Sequence, residues 1–377
     1  MTDIFLQKPL PNNIFVDYEN KCKKYDTVTL YNYSTQLAHY FKNTLKITER
    51  APVVLILESG IINLVTFIGC IMANLIPVVL CPNDILKIKT IIKECKPQYA
   101  FISSKINDLL STKINNLFTL SDLDERFNAS INIINDYKGL IKTDMNDTLK
   151  LYSYYKQALE GNNKTPKPGL FNPKQKIKWD AWNKLQHTSR LEAKRLYCNM
   201  VKQLLNKQTL LQHVLSVPQY IININNLNPT ETCPIKHMHP LENIHNICFY
   251  QYSSGSTTNP KGVKITHANI LHNITEIVKI SRNKHYLENP VSISWLPHYH
   301  DMGLIGGYVS TYYASLMYSG QTVYSMTPHY FLQNIQDIYT DLFTRVSSIE
   351  LPNFAMNYLC DNIITDKSLD ISNINLV

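Results

Sequence analysis

The stretch SSGSTTNPKGVKITHANI, residues 253–270, holds the densest chemistry in the chain. Six small or hydroxylated residues, Ser253 to Thr258, stand together ahead of Pro260, Lys261 and Gly262. Small residues let backbone N–H groups turn inward around an anion, hydroxyls add donors or a magnesium ligand, and a lysine neutralises charge. The pattern is that of a phosphate cradle, expected between the strand-like run at 247–254 and a helix after it. It is not a Walker A loop, because Lys261 follows a proline and precedes a glycine, so the G-K-[ST] ending is missing.

Two other constellations invite chemistry. HYHD at 298–301 can be drawn as a metal site, but His298 and His300 alternate on an extended segment, and no metal ligand set is assigned. Residues 164–208 contain nine lysines and two arginines against only Asp180 and Glu192, while the whole chain carries +8. That block alone accounts for the net charge. Such a focused field suits nucleic acid, a membrane surface or a multiply phosphorylated small molecule, unless the lysines merely solubilise a helical surface. Tyr152 and Lys156 share a helix face at i and i+4, and Trp179 and Trp182 share one at i and i+3.

The elements that must position these residues fall into two kinds. Runs at 53–57, 76–81 and 98–103 read as strands, and Gly60–Ala73 and Ile85–Cys95 as helices. This is the rhythm of a parallel sheet with covered faces. From about 120 to 208 the pattern turns polar and periodic, giving four helices, 122–137, 147–159, 174–185 and 190–205, with the loop TPKPGLFNP at 165–173. After Gln208, the runs 210–215, 220–225 and 247–254 restore α/β character. Eight cysteines without a CxxC pair suit a reducing compartment, and the N-terminus does not read as a signal peptide, so a cytoplasmic protein is expected. The most apolar window, Val53–Cys81, is broken by Glu58, Ser59, Asn63 and Asn74 and reads as helix and strand rather than a membrane span.

Residues 151–197, with YYKQA, the PGLF turn and KWDAWNKL in order, closely resemble the acyl-CoA-binding protein family, a four-helix bundle that holds long-chain acyl-CoA. The resemblance implies that Tyr152 meets the adenine or phosphate end, that Lys156 and Lys178 bind the 3′-phosphate, and that Tyr197 faces the adenine. Tyr155 and Trp182 are better read as packing residues, and Trp179 stands evenly between packing and ligand. The sequence shows no zinc finger or RNP motif, so nucleic-acid binding is not expected.

The loop at 253–262 resembles the signature of the adenylate-forming (AMP-binding) superfamily, in which it holds the β- and γ-phosphates of ATP. Ser254, Gly255, Ser256, Thr257, Lys261 and Gly262 match directly, and Thr258 stands where glycine is usual. ISWLPHYHDMGLIGG, 293–307, resembles fatty acyl-AMP ligases within the long-chain acyl-CoA synthetase branch. It implies that His300 lies near the substrate carboxylate and acts in catalysis with Lys261, and that Gly303, Gly306 and Gly307 clear a path for the acyl chain. SSIELPNFAM, 347–356, continues the likeness, with Glu350 and Leu351 in places more often held by small residues. Phe354 and Met356 either border the acyl tunnel or pack the core.

The resulting expectation is an α/β fold, residues 1–115 and 211–377, with an inserted all-α acyl-CoA-binding domain at 116–210. The implied function is ATP- and Mg2+-dependent conversion of a fatty acid to acyl-adenylate, assisted by acyl-CoA binding. Residues 361–377 match none of the family's magnesium glutamate, ribose aspartate or catalytic lysine. On that ground the α/β part is expected to be an incomplete, N-terminal part only, whose missing catalytic elements come from a downstream polypeptide; an acyl carrier protein is the other partner considered. The alternative is a non-catalytic acyl-CoA-binding protein on a degenerate adenylating scaffold.

Overall fold

The computed structural model describes residues 4–82, 85–104, 122–136, 141, 143–168, 173–214, 218, 220–227, 243–252, 260–283, 289–363 and 375–376. Among them are the strands β1 Ile14–Asp17, β2 Lys23–Asp26, β3 Pro52–Ile56, β4 Ile76–Val79, β5 Tyr99–Ile102 and β6 Tyr220–Asn223. Further along come β7 Ile247–Tyr252, β8 Gly262–Thr266, β9 Val291–Ser294, β10 Thr322–Ser325, β11 Ser348–Ile349 and β12 Asn375–Leu376. They form two six-stranded sheets, in the orders β12-β11-β9-β10-β1-β2 and β6-β5-β3-β4-β7-β8. The chain divides into two compact units: residues 1–81, 90–103 and 217–377, which hold both sheets, and residues 82–89 with 104–216.

In the α/β unit, β3, β4 and β5 are buried along their length apart from Pro52, and they pair in parallel, as continuous apolar runs in a covered sheet should. The helix Ile61–Met72 buries every side chain except Ile62. Gly69 makes that burial possible. A Cβ there would sit 3.0 Å from Ser34 O and 3.1 Å from Leu37 Cβ on the Thr27–His39 helix, so glycine lets the two helices cross closely. The apolar window at 53–81 is thus strand, twelve-residue helix and strand. Among the described residues no helix is long and apolar enough to cross a membrane.

The second sheet was not visible in the sequence. β1 pairs in parallel with β10, Ile14 opposite Thr322, and β9 continues the parallel array. The segment after Gly262 also differs from expectation. It is a strand, β8, antiparallel to β7 with Tyr252 opposite Gly262, and the helix begins only at His267. A reciprocal cap sets that start: Thr266 N donates to Asn269 Oδ1 at 3.1 Å and Asn269 N donates to Thr266 Oγ1 at 3.1 Å.

The helical unit contains the helices Leu123–Asp136, Met145–Glu160, Pro173–Asn183 and Arg190–Val214. Asp144 caps the second, its Oδ1 accepting from Asp147 N at 2.7 Å, and Gly161 at φ 79° ends it. The fourth runs past its expected end at Leu205 and absorbs most of 210–215, which the sequence had placed with the α/β part. Phe127, Leu151, Ala193, Tyr197, Val201 and Leu204 belong to its core. In chain order this unit joins β5 to β6, two neighbouring parallel strands with Tyr99 opposite Tyr220.

Candidate functional site

In a parallel sheet the loops leaving the strand C-terminal ends all emerge at one edge, and that edge is where α/β folds bind ligands. β3 leads into Glu58, Ser59 and Gly60, β4 into Cys81, and β7 ends at Tyr252, directly before the serine- and threonine-rich residues in the chain. The turn at 297–301, which comes after β9 of the other sheet, docks against Ser59, Gly60, Cys81 and β7 itself. His298 N donates to Ser59 Oγ at 3.0 Å, and His298 Nδ1 accepts from Gly60 N at 3.4 Å. Gln251 Nε2 donates to Tyr299 O at 3.1 Å, and the Tyr299 phenol reaches Cys81.

The phosphate-cradle residues Ser254, Gly255, Ser256 and Thr257, with Thr258, lie outside the described residues. The residues that flank them, Tyr252 and Pro260–Gly262, are described. The β7–β8 pairing sets Tyr252 opposite Gly262, Lys261 is exposed, and a Cβ on Gly262 would lie 2.9 Å from the Tyr252 ring. An exposed ammonium at the foot of a hydroxyl-rich loop fits a polyphosphate. Among the described residues no group of three His, Cys, Asp or Glu side chains is arranged to hold a metal.

His300 and its neighbour His298 have opposite environments. The His300 side chain is 49% exposed, with Nδ1 2.7 Å from Asp301 Oδ1. Asp301 also accepts from Met302 N at 2.9 Å and so caps the wide π-helical turn Met302–Val309. His298 is fully buried, edge-on to Tyr308 at 3.7 Å, and burial holds its imidazole down to about 3. The turn leaves no spare room. A Cβ on Gly303 would fall 2.3 Å from Pro297 O.

β9 and β11 end in a second polar group. Trp295 stacks on Phe331 at 4.2 Å and its Nε1 donates to Glu350 O at 2.9 Å. The Glu350 carboxyl is buried, and burial pushes it up to about 7. Phe354 is 58% exposed and touches Trp295 only edge-on, so of the two readings left open for it, core packing is set aside; Met356 is half-buried. Sequence reasoning missed Ser59, Gln251 and Ser294. The signal that could have found Ser59 was the polar E-S-G step directly after a fully buried strand.

In the helical unit, Lys178 Nζ lies 5.3 Å over the Tyr152 ring and Lys156 Nζ 5.1 Å over Trp182, so these four side chains meet between two helices. Lys156 also pairs with Glu160. Tyr197 sits deeper, 4% exposed, packed edge-on to Phe127 at 5.2 Å, and burial raises its phenol well above the usual range. Trp182 is a core residue whose Nε1 donates to Gly161 O at 3.0 Å. Tyr155, read as packing, is 37% exposed.

Two mainly parallel six-stranded sheets in one unit give an α/β protein with the architecture of adenylate-forming ligases. The fatty acid AMP ligase of Legionella pneumophila aligns with 97% of this chain at a TM-score of 0.56 and 19% identity. MatB of Rhodopseudomonas palustris, solved with ATP, aligns with 93% at 0.51 and 12% identity. These likenesses speak for the fold alone. The chain belongs to the AMP-binding enzyme family, whose match runs over residues 9–349, and, through the segment matching a yeast protein, to the acyl-CoA-binding proteins as well. That Saccharomyces cerevisiae acyl-CoA-binding protein is 42% identical over 66 residues, 18% of this chain and 76% of its own length. The medium-chain-fatty-acid–[acyl-carrier-protein] ligase JamA of Moorena producens is 32% identical over 133 residues, 34% of this chain and 21% of JamA.

These findings correct the expectation of an N-terminal part only, with catalytic elements supplied by a downstream polypeptide. The family match and the solved folds extend over nearly the whole chain, and residues on both sides of the helical stretch build both sheets. The expectation had leaned on missing motifs in the last seventeen residues, and a missing local motif does not bear on how far a fold extends. The chain spans 45% and 49% of the two solved structures named above.

Proposed function

We propose that the α/β unit joins a medium- or long-chain fatty acid to ATP, forming an acyl-adenylate and pyrophosphate, and that the helical unit holds long-chain acyl-CoA. The turn at 297–301 carries the reading. It sets the exposed His300 at the strand ends, one hydrogen bond from the strand that enters the phosphate loop. In this reading Ser254, Gly255, Ser256, Thr257, Lys261 and Gly262 hold the ATP phosphates with Mg2+, and His300 orients the carboxylate that attacks the α-phosphorus. Charge neutralisation and alignment do most of the work in such a transfer. The likeness to JamA supports a carrier-protein thiol as acceptor.

Tyr152, Lys156, Lys178 and Tyr197 serve the nucleotide end of acyl-CoA, in a domain at 116–210 between two parts of the α/β unit. A location in the cytoplasm goes with both activities. The test is pyrophosphate release with ATP, Mg2+ and dodecanoic acid. Release should depend on the acid, and Lys261→Ala should lower it by about a hundredfold, the usual cost of one transition-state donor. No acid-dependent release would sink the adenylation reading. For the helical unit, titration calorimetry should show palmitoyl-CoA bound far more tightly than palmitate, with Lys178→Ala weakening it by about 1–3 kcal/mol. Equal affinity for the two ligands would sink that part.

A further inference from the structure

The two lysines assigned to the 3′-phosphate stand in different electrostatic settings. Lys178 is exposed, lies over the Tyr152 ring, and among the described residues has no carboxylate partner. Lys156 is held on two sides: its ammonium lies 5.1 Å over the Trp182 ring and pairs with the Glu160 carboxylate one helical turn on. A phosphate that takes Lys156 must contend with that carboxylate.

Helix stability does not account for Glu160. It is the last residue of the helix Met145–Glu160, where a carboxylate faces the negative end of the helix dipole. A lysine four residues before a glutamate is also the weaker order for such a pair. The Glu160 side chain is 49% exposed, so the pair adds little to folding.

The surroundings nevertheless fix where Glu160 stands. Arg190 Nη2 donates to Glu160 O at 3.1 Å, and Trp182 Nε1 donates to Gly161 O at 3.0 Å, so the helix end is tied to both of the helices that follow it. The same Trp182 ring supports the Lys156 ammonium. The carboxylate is therefore carried on an anchored backbone, against the lysine that the ligand would use.

We propose that Glu160 is a specificity-determining residue of the helical unit: it competes with the ligand's phosphate for Lys156 and so weakens the grip on 3′-phosphorylated CoA esters. This rests on the acyl-CoA reading above. A phosphate monoester carries close to two negative charges near neutral pH. Placed on the Lys156 ammonium, it comes within about 6 Å of the Glu160 carboxylate, well inside the Debye length, and either is repelled or has to displace it. Lys178, without such a competitor, then carries most of the discrimination for the phosphate.

The test is titration calorimetry on the full chain with palmitoyl-CoA and 3′-dephospho-palmitoyl-CoA, in wild type, Glu160→Gln, Lys156→Ala and the double variant. Glutamine keeps the side-chain length and the backbone contacts but drops the charge. Glu160→Gln should bind palmitoyl-CoA about three- to tenfold more tightly, the size of one screened charge interaction, and leave the dephospho ester within about twofold of wild type. With Lys156→Ala already in place, the same change should gain less than about twofold. Unchanged or weaker palmitoyl-CoA binding in Glu160→Gln, an equal gain for both esters, or a full gain without Lys156 overturns this inference and leaves the acyl-CoA reading standing. Failure of wild type to bind either ester overturns both.

Discussion

Replacing Glu350 by glutamine should make the stability of the α/β unit less sensitive to pH, by an amount set by its burial. The residue is half-buried, but its Oε2 is shut off from solvent with no partner, and burial raises the carboxyl from 4.5 to about 7. A raised carboxyl means that the folded state prefers the neutral form. Its contribution is therefore intact below 4.5, where both states are protonated, and is lost as pH rises through about 7. Between pH 5 and pH 8 the loss should reach about 2–3 kcal/mol, since each unit of separation is worth about 1.4 kcal/mol. Glutamine leaves an equally unpartnered amide, but one that does not titrate. Guanidinium unfolding at both pH values, monitored by hydrogen exchange in β9 and β11 so that the α/β unit is read by itself, gives the comparison. Wild type should weaken relative to Glu350→Gln by that amount between pH 5 and 8. A gap constant to within about 0.5 kcal/mol, the error of such measurements, would refute the claim that this carboxyl is buried and unpaired.

His298 should show the opposite slope. Its imidazole is held at about 3, so stability is lost as pH falls below 6.5, and His298→Asn should remove about 2–3 kcal/mol of the loss between pH 6 and 4; parallel stability curves would refute this. Gly303→Ala would push a Cβ to 2.3 Å from Pro297 O and 2.8 Å from Leu296 O. Backbone cannot yield as a side-chain end can, so a loss of about 1–3 kcal/mol and a collapse of acid-dependent pyrophosphate release are expected. An active variant with an unchanged melting temperature would show that the turn presenting His300 tolerates movement.

Local pattern was enough for everything that depends on neighbours a few residues away. The alternation of β3, the Ile61–Met72 helix, β4 and β5 was readable because buried parallel strands are continuously apolar, and the four helices at 123–214 because their period and the prolines at 166, 168 and 173 mark their limits. Tyr152, Lys156 and Lys178 could be matched for the same reason, since their spacing along two helices carries the signal. The strands of the second sheet could not be read this way. β1 is four residues long, and its partner lies some three hundred residues downstream at Thr322–Ser325, so only long-range pairing makes it a strand. Long-range docking also decided the site: His298 became a buried neutral base because Ser59 and Gly60 close over it, while His300, two residues on, stayed in the open. Glu350 read as an unusual residue in a familiar motif. Its burial follows from the parallel pairing of β9 with β11, strands more than fifty residues apart, which no window of sequence can weigh because a group is buried or left unpaired only once the fold has closed around it.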